Sequence, residues 1–139
     1  MKRKIVVLLL FCCVCVLSGC SFESKEGGSN LKLISEKKVQ SISKTNKIIV
    51  ENSRTKKVEK TITDVNEVKK ILDIISRGKE ENNVVTSEAS NWYFFMYDKE
   101  EQLISTIWVW ESGHFGFEND KEYAFNVSDI ENLKAIIEK

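Results

Sequence analysis

The sequence predicts an α+β fold: an antiparallel sheet of about six strands with two helices packed on one face. Three observations predict it. First, four short aromatic runs, "NWYFFMYD", "QLISTIWVWE", "HFGFE" and "EYAFNV", follow one another with only two to four turn-forming residues between them. Parallel neighbours need a crossover of a dozen or more residues, so these strands must run antiparallel. Second, the stretches 65–77 and 128 onward repeat apolar residues at helical spacing behind a capping residue. Third, no proline interrupts the chain.

Taken in order, "KKVQSIS" and "NKIIVEN" are rich in β-branched residues, and "KKVEKTIT" alternates Val58, Lys60 and Ile62 against Lys57, Glu59 and Thr61. Strands are expected near 38–43, 47–52 and 57–63, the last two joined by a turn at 53–56. Asp64 and Glu67 form a capping-box variant in which each side chain accepts an orphaned amide hydrogen. Val65, Val68, Ile71, Leu72 and Ile75 then share one face of a helix over 65–77, with Gly78 as a left-handed stop. Residues 79–91 show no period and are expected to be the longest loop. After the four aromatic strands, Ser128 and Glu131 make a second capping box, and Ile130, Leu133, Ile136 and Ile137 line a closing helix. The order is β-β-(β)-α-β-β-β-β-α.

Turn lengths set which residues share a face. A four-residue turn at 98–101 pairs Tyr97 with Gln102 and sets Phe95 opposite Ile104. A two-residue turn at Ser112-Gly113 sets Trp110 opposite Phe115 and Trp108 opposite Phe117. A three-residue turn at 119–121 brings Phe117 to Tyr123 and Phe115 to Phe125. That face is the expected seat of both helices. The other face then carries Trp92, Phe94, Met96, Leu103, Ile107 and Val109 on two strands, beside His114, Gly116, Glu118, Glu122 and Ala124 on the next two. Either Leu31, Leu33, Ile34, Val39 and Ile42 fold across this half-apolar face, or its six apolar residues form a docking patch anchored by Trp92.

The amino terminus carries a different signal. Lys2, Arg3 and Lys4 precede Ile5 through Leu17, a run with no polar side chain except thiols. It is too short to cross a bilayer but has the layout of a secretory signal peptide. Leu17-Ser18-Gly19-Cys20 follows it and resembles the lipobox of bacterial lipoproteins. The resemblance covers only the first twenty residues. It implies a diacylglyceryl group on the Cys20 sulfur and cleavage just before that cysteine, with residues 1–19 discarded. Residues 20–30, "CSFESKEGGSN", then read as the acylated cysteine and a flexible tether, and 31–139 as one domain. Cys12, Cys13 and Cys15 leave with the signal peptide, so the mature chain keeps no thiol for a disulfide, a metal site or catalysis. The expected location is the outer side of the cytoplasmic membrane, held there by the lipid.

Charge is unevenly spread. Residues 21–63 hold 10 basic and 5 acidic side chains, and residues 64–139 hold 8 and 16. The basic half adjoins the lipid, where lysines are attracted to an anionic leaflet. Location and acidity both argue against nucleic acid as a partner. Lysine outnumbers arginine eighteen to three, a codon bias expected of a low-GC Gram-positive source.

No catalytic set emerges. His114 follows Ser112-Gly113, but neighbouring turn residues rarely meet in nucleophile–base geometry, and no G-x-S-x-G elbow is present. Glu80-Glu81 and Glu100-Glu101 lack the alternating frame of a calcium loop. Gly113 and Gly116 precede no helix that would cradle phosphate. The aromatic strands resemble a base-stacking platform, yet their surroundings are acidic. No cofactor and no metal is expected. The expected function is a non-enzymatic protein-binding module whose partner is an envelope or surface protein; small lipoproteins of this kind include inhibitors, immunity factors and exclusion proteins. The alternative is a small-ligand binder or accessory subunit of an envelope complex.

Overall fold

Strands that bury every second residue can be covered on one side by short amphipathic helices. The computed structural model describes residues 32–81 and 89–139. The expected signal peptide, the lipobox, Cys20, the tether and most of the 79–91 loop lie outside the described residues. Within them the order is α1 (Glu36–Ile42), β1 (Lys47–Asn52), β2 (Val58–Ile62), α2 (Val65–Ser76), β3 (Lys79–Glu80), β4 (Trp92–Tyr97), β5 (Leu103–Trp110), β6 (His114–Phe117), β7 (Glu122–Ala124) and α3 (Val127–Ile137). The fold is α+β, with one seven-stranded antiparallel sheet in the order β2-β1-β4-β5-β6-β7-β3.

Two element assignments change. The strand expected near 38–43 is the helix α1, which makes three helices among the described residues instead of two. Val39 and Ile42 stand one helical turn apart, and both join the core. A helix of seven residues has little stability of its own, so this packing decides its form. The expected 79–91 loop begins with β3, which pairs with β7 and closes the sheet edge.

Helix α2 begins with the Asp64 half of the expected capping box; the Glu67 carboxylate lies 3.8 Å from Lys60 Nζ instead. The Asp64 carboxylate accepts the amide hydrogens of Asn66 and Glu67, both at 2.9 Å. Its buried face is Val68, Ile71, Ile74 and Ile75. Gly78 follows it without the expected left-handed backbone: among the described glycines only Gly113 has positive φ. The requirement at 78 is space, since a Cβ there would lie 2.3 Å from Phe115 Cζ. Helix α3 starts at Val127, before the expected Ser128 cap, and its Asn126 cap position makes no side-chain cap hydrogen bond. Asp129 instead receives Arg77 from α2, Nη2 at 2.6 Å and Nε at 3.2 Å. The Arg77 guanidinium holds the nearly buried Asp129 carboxyl below its usual range, and the same pairing raises Arg77. One charge-assisted pair thus fastens the two long helices together.

The faces of the sheet also differ from expectation, for one local reason. The β5–β6 connection is three residues long, Glu111-Ser112-Gly113, so Trp110 pairs with His114 rather than Phe115. Gly113 takes φ +99°, while Ser112 stays out of the positive-φ region that a two-residue hairpin turn demands at its first position. This slip of one residue turns β6 over. Phe115 and Phe117 now stand opposite Val109 and Ile107, and Phe115 opposite Tyr123. One face therefore carries the core, where Ile48, Val50, Phe94, Met96, Ile107, Val109 and Phe115 have 0% exposure beneath the helices.

Candidate functional surface

The face turned away from the helices is aromatic as well. Three rows cross it from β1 through β4 to β5: Lys47–Tyr97–Leu103, Ile49–Phe95–Thr106 and Glu51–Tyr93–Trp108. The rings of Tyr93 and Phe95 lie 6.2 Å apart. Lys47 Nζ stands 5.0 Å from the centre of the Tyr97 ring and Lys56 Nζ 4.3 Å from that of Tyr93, so a cation closes each end of the β4 stripe. Lys47 also pairs with Glu101, and Lys56 lies 4.0 Å from Glu51. Trp108 is 38% exposed and Leu103 53%. Tyr93, Phe95, Tyr97 and Ile49 are half-buried. Farther along, Trp110 lies over Gly116, whose missing Cβ would sit 3.8 Å from Cζ3 of the indole.

No helix among the described residues packs on these rows, and strand and residue spacing give them an area of about 300 Å². That is within the size of the largest apolar patch on a typical monomer, which is often a functional one. A standard protein footprint is near 800 Å², so the rows would form its apolar centre, with Lys47, Glu51, Lys56 and Glu101 on the rim.

The six residues expected to form a docking patch fall differently. Phe94, Met96, Ile107 and Val109 are core residues at 0% exposure, with Ile34, Val39 and Ile42 packed into the same cluster. They have no surface to offer a partner: of the first segment Ile34, Val39 and Ile42 help cover them, Leu33 is 59% exposed and Leu31 lies outside the described residues, while both long helices, expected on the opposite face, pack here as well. Trp92 is half-buried against the core, and its indole N–H donates to Glu59 Oε2 at 2.7 Å. Leu103 alone is open. A bulge between Met96 and Tyr97 sets it opposite Tyr97, on the uncovered face. The turn lengths read from the sequence put Phe95, Tyr97 and Trp108 on the side expected to be covered and do not single out Tyr93; all four alternate along their strands and stand on the uncovered face.

His114 has closer company than adjacent turn residues usually give. Ser112 Oγ lies 3.2 Å from its Nδ1, and Glu81 Oε2 lies 2.9 Å from its Nε2. In the elbow of α/β-hydrolases the amide after the nucleophile binds the developing oxyanion. The Gly113 N–H is instead donated to the Trp110 carbonyl at 3.0 Å. The trio ties the hairpin tip to the strand-β3 edge. Among the described residues no group of three His, Cys, Asp or Glu side chains is placed to hold a metal ion, and no helix is long and apolar enough to cross a membrane.

A cleft of about 420 Å³ opens between residues 32–35, α1 and the β6–β7 turn. Lys38 pairs with Asp120 and Lys121 with Glu80 on its walls. Burial would raise the Asp120 carboxyl, but hydrogen bonds from Lys38 and the Lys121 amide outweigh it and hold the group below its ordinary range. The pairing with Glu80 raises Lys121. Tyr123, whose hydroxyl donates to Asp120 at 3.2 Å, is pushed up to about 12, chiefly by burial and then by the Asp120 charge.

No family model, curated protein or solved structure matches the chain.

Proposed function

We propose that this chain is a lipid-anchored, non-enzymatic protein-binding module on the outer side of the cytoplasmic membrane. The anchor is read from Leu17-Ser18-Gly19-Cys20 behind a charged and then apolar leader. Two acyl chains on Cys20 hold a protein on a bilayer, where a single chain binds only marginally. The observation that carries the binding role is the uncovered aromatic face of β1, β4 and β5, with Trp108 its most exposed aromatic residue. It is flat and rimmed by both signs of charge, which suits a protein surface better than a small molecule that needs enclosure.

A photoactivatable amino acid in place of Trp108, in the full chain in its native membranes, is expected to give a light-dependent adduct of one defined mass. The same group at Lys70, on the exposed side of α2, is expected to give none. Failure to form an adduct at 108, or equal capture from both positions, counts against the aromatic face as the binding surface.

A further inference from the structure

The described chain begins at the cleft between residues 32–35, α1 and the β6–β7 turn. The Glu80 amide donates to the Lys32 carbonyl at 2.7 Å, the Ile34 amide donates to the Gly78 carbonyl at 3.2 Å, and Leu33 bridges Lys79. Residues 32–34 are thereby fastened along β3, at the outer edge of the sheet. Twelve residue steps separate Lys32 from Cys20. A chain of that length reaches at most about 40 Å. If Cys20 carries the acyl chains, this edge is the part of the domain held nearest the leaflet.

The chemistry of the edge suits that position. Four lysines, 32, 37, 38 and 121, line the cleft with two carboxylates, Glu80 and Asp120. Both carboxylates are occupied: Glu80, with its side chain 10% exposed, pairs with Lys121, and Asp120 pairs with Lys38. Lys32 and Lys37 are exposed and have no ion-pair partner among the described residues. Ser35 adds a hydroxyl to the same walls, while the Ser41 hydroxyl is donated to the Lys38 carbonyl at 2.7 Å. Leu33, 59% exposed among the described residues, stands at the mouth. Surplus positive charge, a hydroxyl donor and an outward leucine close in sequence to the expected tether are the features of a surface resting on anionic headgroups.

We infer that this cleft is a membrane-facing site for the phosphate of anionic phospholipid headgroups, seating the domain on the leaflet that holds its anchor. The inference rests on acylation at Cys20. It also fixes the domain's orientation. Strand β2 is the far edge of the sheet, six strand spacings or roughly 29 Å from β3, and the aromatic rows nearest it stand clear of the headgroups. The Trp108 face is then presented sideways to neighbours in the envelope.

The test uses the full acylated protein, extracted from membranes and placed in vesicles of phosphatidylcholine alone or with about one third phosphatidylglycerol. Lysine reactivity toward a membrane-impermeant acylating reagent is read residue by residue by mass spectrometry. Each lysine near an anionic surface gains about fivefold in local occupancy. Lys32, Lys37 and Lys121 are therefore expected to react about fivefold more slowly in the anionic vesicles, with Lys69 and Lys70 unchanged, and the protection is expected to vanish near about 0.5 M salt. The Lys32→Gln/Lys37→Gln variant, which disturbs no described ion pair, is expected to lose the protection at Lys121. Equal rates in the two vesicles, with the protein bound to both, overturn the inference and leave the anchor standing. Protection by inorganic phosphate in phosphatidylcholine vesicles assigns the cleft to a soluble anion and overturns the leaflet role. Failure of the protein to bind either vesicle removes the anchor, and the inference with it.

Discussion

Phe94→Ala is expected to lower stability by about 3–5 kcal/mol, and Phe95→Ala, one residue on, by about 1 kcal/mol. The two phenylalanines share a strand and differ only in face. Phe94 lies opposite Val50 and Ile107 with 0% exposure, so its removal leaves a cavity between sheet and helices. Phe95 lies opposite Ile49 and Thr106 on the uncovered side, where water and neighbouring rings fill the gap. Urea titrations followed by tryptophan fluorescence measure both losses. Similar values for the pair, or a larger one for Phe95, mean that the two faces have been assigned the wrong way round. The paired comparison matters because binding is placed on the Phe95 side: truncations there remove contact surface without unfolding the domain.

Gly78→Ala is the second large effect, a loss of about 2–3 kcal/mol from a single methyl group. In the unfolded chain alanine is the more restricted residue, which by itself favours the variant by about 0.4–1 kcal/mol. Overpacking outweighs that. The new Cβ would stand 2.3 Å from Phe115 Cζ and 2.5 Å from Cε1, with the Ile75 carbonyl at 3.1 Å behind it. Phe115 has no room to withdraw: it is fully buried, with ring centres of Phe125 at 4.4 Å and Tyr123 at 5.3 Å in stacked arrangement. Phe115→Leu makes space at its own cost. In the double variant the two losses are expected to fall short of their sum by about 1 kcal/mol or more. Strict additivity would show that the ring and the glycine are not in contact.

Much of the fold could be read from residue patterns because its signals are local. Asp64 followed by apolar residues at helical spacing needs no tertiary context to be a helix start, and short turn-rich connections between aromatic runs leave only antiparallel pairing. The paired strands at 47–52 and 58–62 follow from β-branched residues and alternation, and the turn between them is held by Asn52, whose side chain accepts the amides of Arg54 and Thr55. What escaped was set by contacts distant in sequence or by one residue of loop length. Helix α1 offers only Val39 and Ile42 as periodic signals, and its form depends on the core it meets. Gly78 has the composition of a helix stop, but the ring that requires it lies 37 positions away. The hairpin at 111–113 is the costliest case. "ESGH" is compatible with a two- or a three-residue loop, and the choice moves Phe115 and Phe117 between opposite faces of the sheet. With that single register corrected, the half-apolar face becomes the core, and the candidate site moves from Phe94, Met96, Ile107 and Val109 to Tyr93, Phe95, Tyr97 and Trp108.

Both functional conclusions depend on the chemistry of Cys20. An aromatic sheet face is a plausible interface in any compartment, but its presentation to envelope partners and the seating of the lysine cleft on a leaflet require a short tether ending in lipid. The most direct measurement is the intact mass of the protein recovered from producing cells, with its amino terminus defined by fragmentation. The expected result is a membrane-fraction chain that begins at Cys20 and carries a thioether-linked diacylglyceryl group, with the Cys20→Ala variant neither cleaved at that position nor lipidated. A full-length chain recovered from the cytosol, with Met1 in place and no added lipid mass, would contradict it.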